Sequence, residues 1–174
     1  MTTPLIMLFL LVVPFIVALL LPANVNRYID FRDAAAVGLA LLFIFTGMGH
    51  FIQTEAMSQM LPPWVSERIL IVQLTGILEF VIAAGFIVRR SRRLTAYIAA
   101  AILVLFFPVN IYEVINHIPI GGHAWEPVYL FIRAPLQLII LFWVYWFAIR
   151  RPNPAEWKDF PRLTRPSNLP KAAS

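Results

Sequence analysis

Residues 69–88 read ILIVQLTGILEFVIAAGFIV, a run in which Glu79 is the only charged side chain. A bilayer core about 30 Å thick needs about 20 helical residues to cross it. Basic residues lie at both ends of the run, with Arg68 before it and four arginines within residues 89–93 after it. The run is therefore predicted to be a transmembrane helix that contains one acidic side chain.

Further apolar runs of similar length lie at residues 4–21, 34–54, 94–114 and 128–149. Hydrophobic residues make up 60% of the 174-residue chain and charged residues 13%, whereas about a quarter of the residues of soluble domains are charged. Each run is predicted as a helix, because a strand would leave backbone groups unpaired in lipid. The first run is expected to be retained, since no basic segment precedes it as in a signal peptide. The sequence thus predicts an all-α integral membrane protein with five transmembrane helices.

The basic residues fall on one side of this five-helix arrangement. The alternate loops at residues 22–33, 89–93 and 150–174 contain two, four and six Lys or Arg residues, whereas the opposite loops contain only Arg68. Loops rich in Lys and Arg stay in the cytoplasm. The prediction is an outside N-terminus and a cytoplasmic C-terminus.

Composition excludes several classes of chemistry. Because the chain has no cysteine, it forms no disulfide and offers no thiolate to a metal. The three histidines lack the spacing of a metal site, so none is predicted. No glycine-rich phosphate motif is present, and the net charge of +5 lies in loops. The predicted environment is the lipid bilayer, without a nucleic-acid partner.

Polar side chains inside the predicted helices lie in the outer half of the membrane, at a rise of about 1.5 Å per residue. A shallow ring, about 6–8 Å below the outer boundary, consists of His50, Gln73, Asn110 and Arg133. A deeper level, at about 12–15 Å, consists of Thr46, Glu79 and Gln137. Ionisable residues in a membrane usually face the bundle interior and mark functional sites. These seven residues are therefore the candidates for a polar binding pocket that opens toward the outer face.

The same residues also have a structural interpretation. Glu79 and Arg133 would form a buried ion pair between the third and fifth helices, and removal of either would leave the other unpaired. A structural network would satisfy its own hydrogen bonds and pack without water, because unpaired polar groups in lipid are costly. A pocket would instead leave donors and acceptors facing a shared space. Both interpretations fit the sequence.

Five short segments resemble the motifs of DoxX-like membrane proteins. Residues 45–51 (FTGMGHF) resemble the family's TG-x-x-HF motif, and residues 60–63 (MLPP) its "MlP" segment. Residues 75–79 (TGILE) resemble SG-x-x-E, residues 107–111 (FPVNI) resemble the "PAN" segment, and residues 133–137 (RAPLQ) resemble R-x-P-x-Q. The order and spacing of the five segments fit the family, and they contain most of the candidate pocket residues.

The resemblance covers about residues 34–149 and implies a four-helix bundle, formed by helices 2–5, in a prokaryotic cytoplasmic membrane. On this basis residues 1–33 are an additional N-terminal transmembrane helix with a short loop. Residues 150–174 are a basic, proline-rich cytoplasmic tail.

Two functions are consistent with the resemblance and the pocket. The first is an accessory or redox-associated subunit that binds a quinone or another lipid-like ligand, beside a membrane or redox-enzyme partner. The alternative is an intramembrane isomerase or hydrolase that acts on an isoprenoid or sterol-like substrate. A quinone carbonyl would accept a hydrogen bond from His50 or Arg133, and Glu79 would take up or give a proton. An enzyme would use the intramembrane Glu, His and Asn side chains to protonate and deprotonate a double bond.

Overall fold

The computed structural model describes residues 2–21, 30–115 and 126–150, and these contain helices but no strands. The elements are α1 (Thr2–Leu20), α2 (Phe31–Ile52), α3 (Thr54–Gln59), α4 (Arg68–Ile87), α5 (Arg92–Ile115), α6 (Glu126–Val144) and a π-helical segment (Tyr145–Ile149). Each predicted run therefore corresponds to a helix whose ends lie within three residues of the prediction, provided that α6 is counted together with the π-helical segment that continues it to Ile149. The short helix α3, between the second and third runs, was not predicted.

Four helices are long and apolar enough to cross a membrane: α1, α2, α4 and the first 18 residues of α5. The last apolar stretch, Ala134–Ile149, is shorter. Many large apolar side chains of these helices, such as Val81, Leu105 and Leu138, are exposed on the outside of the bundle. An outer surface of this kind is stable in contact with lipid, since in water it would drive association. The described part of the chain is thus all-helical, with four helices that could span a membrane.

A small apolar core joins the helices. Leu11 of α1, Phe43 of α2, Phe86 of α4, Ala96 of α5 and Val144 of α6 are all buried in one cluster. The rings of Phe43 and Phe86 stack with their centroids 5.8 Å apart. Since every long helix contributes to this cluster, α1 belongs to the bundle as well.

Charged side chains connect the helices at the end of the bundle where α2 begins. Asp33 accepts hydrogen bonds from Arg92 Nη1 at 2.9 Å and from Arg89 Nε at 3.1 Å. Arg32 donates from Nε to the carbonyl of Phe147 at 3.1 Å and from Nη2 to that of Arg150 at 2.7 Å. The start of α2 therefore holds the α4–α5 loop on one side and the end of the last helix on the other.

Candidate functional site

The candidate site lies where the backbones of α2 and α4 come closest. A Cβ atom added at Gly76 would lie 2.8 Å from Cβ of His50 and 3.2 Å from the carbonyl oxygen of Gly47. A Cβ at Gly47 would lie 3.2 Å from the carbonyl oxygen of Gly76. Glycine at both positions lets the two helices touch, as small residues commonly do between membrane helices. The contact brings the residues on either side of it within reach across the interface.

His50 and Glu79 meet across this contact. Nε2 of His50 lies 3.6 Å from Oε1 of Glu79, and the side chains are only 18% and 11% exposed. The separation is slightly too long for a hydrogen bond but allows direct electrostatic interaction. The structure therefore joins one residue of the predicted shallow ring to one of the deeper level.

Each residue of this pair has a second polar side-chain atom that is not part of this contact. Within the described part of the chain, Nδ1 of His50 and Oε2 of Glu79 are buried without a hydrogen-bond partner. A buried polar atom without a partner costs about 1–3 kcal/mol. A pair that served packing alone would be expected to satisfy these atoms, so this arrangement suits a site completed by water or a ligand.

Other candidates from the sequence have different surroundings. Thr46 donates to its own helix, with Oγ1 3.2 Å from the carbonyl oxygen of Leu42. Gln73 is half-buried on α4, two turns before Glu79. The buried Thr75, which was not a candidate, donates to the carbonyl of Ile71 at 2.8 Å. Thr46 therefore uses its hydroxyl proton within α2.

The remaining candidates lie on α5 and α6. Gln137 is buried and donates from Nε2 to the carbonyl of Leu103, which ties α6 to α5. Asn110 and Arg133 belong to α5 and α6, but their side chains lie outside the described residues. The expected Glu79–Arg133 ion pair therefore stays a prediction. The polar contact that is described for Glu79 is the one with His50.

The contacts of Asp33 were not predicted from the sequence. The arginines at residues 89–93 were interpreted only as a topology signal, and no role was assigned to Asp33. One signal was present, because Asp33 lies in the first turn of an apolar helix beside Arg32. An acid at that position usually has a basic partner when the side chain is partly buried.

A family model described as Domain of unknown function (DUF8561) matches residues 39–148. The chain belongs to this family. No curated protein and no solved structure matches the chain. The DUF8561 segment contains the His50–Glu79 pair, both glycines of the helix contact and Gln137, so the candidate site lies entirely within the family domain.

Proposed function

We propose that this DUF8561 protein is a DoxX-like accessory or redox-associated membrane subunit. Its His50–Glu79 pair binds a quinone or another lipid-like ligand in the outer half of a prokaryotic plasma membrane. The resemblance of five segments to DoxX-like motifs supports this proposal, since two of those segments supply His50 and Glu79.

One observation carries the binding role: both members of the pair keep a buried polar atom without a partner among the described residues. The imidazole Nδ1 donates a hydrogen bond when it bears the proton, and a carboxyl oxygen accepts or, when protonated, donates. A quinone carbonyl accepts such a bond, and the hydroxyl of the reduced form both donates and accepts. The pair thus offers complementary groups for either redox form of a quinone.

Binding of a short-chain quinone tests this role directly. For the reduced form, whose hydroxyl would donate to the carboxyl oxygen of Glu79, Glu79→Gln is expected to weaken binding about tenfold, because an amide nitrogen replaces that acceptor and one net hydrogen bond of roughly 1–1.5 kcal/mol is lost. Equilibrium binding is measured on protein in lipid nanodiscs. The control is Glu55→Gln, which makes the same substitution at an exposed residue of α3 and is expected to leave the affinity unchanged.

Native mass spectrometry of the purified wild-type protein supplies a second measurement. A quinone or lipid-like molecule that is retained by the wild type and lost from Glu79→Gln would support the proposal. Unchanged affinity in Glu79→Gln, or failure of the wild type to bind any quinone or lipid-like molecule, would contradict it.

The proposed topology has five spans, with the N-terminus outside and the C-terminus in the cytoplasm. Together α6 and the π-helical segment cover residues 126–149, about 36 Å at 1.5 Å per residue, which is long enough for a fifth span. Two spans, α5 and this fifth one, then lie between the basic segment 89–93 and the tail, which places both on the same side. The positive-inside rule then assigns that side to the cytoplasm.

Introduced cysteines test this topology without interference, because the natural chain has none. Gln59, the last residue of α3, and Arg90, in the loop after α4, are both exposed, and α4 lies between them in the chain. Gln59→Cys is expected to react with a membrane-impermeant maleimide in intact cells, whereas Arg90→Cys is expected to react only after permeabilisation. Reaction of Arg90→Cys in intact cells would reverse the orientation, and with it the assignment of the pair to the outer half.

A further inference from the structure

The loop between α4 and α5 presents a concentration of positive charge at the end of the bundle opposite the His50–Glu79 pair. Residues 89–93 contain four arginines, of which Arg89 and Arg92 share the carboxylate of Asp33. Arg92 is held further by its Nε bond to the carbonyl of Phe86 at 2.9 Å. Asp33, with a smaller contribution from Asp30 at Arg89, therefore balances only part of the four charges.

Arg90 and Arg93 have no acidic partner among the described residues, and both are exposed. Arg93 extends over Tyr97, with the centre of its guanidinium 5.8 Å from the ring centroid and Nη2 3.4 Å from the hydroxyl. The other N–H groups of the Arg93 guanidinium have no hydrogen-bond acceptor among the described residues. Unlike Arg92, these two arginines are not used to hold the helices together.

Helix α5 shows where these guanidinium groups lie relative to the apolar outer surface of the bundle. Leu94, Tyr97 and Ile98 are exposed apolar or aromatic residues in the first turns of that helix. Arg93 therefore lies at the edge of a surface that contacts acyl chains. Arginine donates to phosphate oxygens in a planar, bidentate arrangement, and a tyrosine at this level is typical of the membrane interface.

We propose that Arg90 and Arg93 bind the phosphate headgroup of an anionic phospholipid at this end of the bundle. The acyl chains of that lipid lie along the exposed face of α5 below Arg93. The ion-paired Arg89 and Arg92 keep the α4–α5 loop in place, so the two binding arginines are presented by a fixed scaffold. This site does not depend on the proposed quinone site, because it shares no residue with it and lies at the other end of the helices.

Native mass spectrometry on detergent-solubilised protein tests the proposal with phosphatidylglycerol and phosphatidylcholine of identical acyl chains. The wild type is expected to retain phosphatidylglycerol in preference to phosphatidylcholine. The double variant Arg90→Gln/Arg93→Gln is expected to lose most of that preference, about fivefold for each guanidinium removed. Arg90→Lys/Arg93→Lys is expected to keep part of it, since the charge remains while the bidentate geometry is lost.

Arg68→Gln is the matched control, because it removes one arginine at the opposite end of α4 and is expected to leave lipid retention unchanged. Equal retention of the two lipids by the wild type would overturn the proposal. Undiminished retention of phosphatidylglycerol by the double Gln variant would do the same. Displacement of the lipid by millimolar inorganic phosphate, but not by chloride at equal ionic strength, would identify a free anion as the ligand instead.

Discussion

Gly76→Ala is expected to lower the free energy of unfolding by about 2 kcal/mol, within the range of about 1–3 kcal/mol for overpacked sites. The new methyl group would lie 2.8 Å from Cβ of His50 and from Cε2 of Phe51. Because Cβ of His50 moves only with its backbone, α2 and α4 must separate to admit it. Thermal or denaturant unfolding in detergent measures the loss. We also expect weaker quinone binding, since separation of the helices moves His50 away from Glu79.

Gly49→Ala is the control for this experiment. It makes the same substitution on α2, but its new Cβ would meet only Cε of Met57, at an ordinary contact distance of 3.7 Å. Alanine is favoured over glycine inside a helix by about 1 kcal/mol, so this variant is expected to be as stable as the wild type or slightly more stable. Equal stability of the Gly76 and Gly49 variants would show that α2 and α4 do not touch as described.

Asp33→Asn is expected to reduce stability by a similar amount, about 2 kcal/mol. The asparagine keeps the shape of the side chain but leaves two guanidinium groups without their counter-charge. Loss of one partner from a fully buried pair costs about 3–5 kcal/mol. The cost is smaller here because the Asp33 side chain is 27% exposed and that of Arg89 73%, although Arg92 is only 13% exposed.

Asp30→Asn provides the comparison for Asp33→Asn. Asp30 caps α2 through a 2.9 Å bond from the backbone N–H of Arg32, and asparagine caps a helix equally well. We therefore expect little change in the unfolding transition. If the Asp33 and Asp30 variants unfolded alike, the Asp33–Arg92 contact would contribute nothing to stability.

The membrane helices were predictable because their length and apolar composition are set by the bilayer and not by tertiary contacts. Residues 69–88 predicted α4 to within one residue at each end. The short helix α3 could not be predicted by this rule, since a six-residue helix does not cross the bilayer and its length is not set by the bilayer thickness. Asp33 and its partners lie 56 and 59 positions apart in the chain, and only the folded loop brings them together.

His50 and Glu79 were both predicted from their depth along the helices, but at separate levels. Helical side chains tilt toward the N-terminus of their own helix. Because α2 and α4 run in opposite directions, the side chain of His50 tilts toward the start of α2 and that of Glu79 toward the start of α4, so they approach each other. Counting residues along each helix gives the positions of Cα atoms and omits this tilt. The sequence therefore predicted both members of the pair but not their contact.

The glycine contact between α2 and α4 also determines how a lipid-soluble molecule would reach the pair. The carbonyl oxygen of Gly76 would lie 3.2 Å from a Cβ at Gly47, so no acyl or isoprenoid chain fits between the two backbones at that level. A long-tailed ligand would therefore reach the pair by a route other than this interface, with its tail outside the contact between α2 and α4.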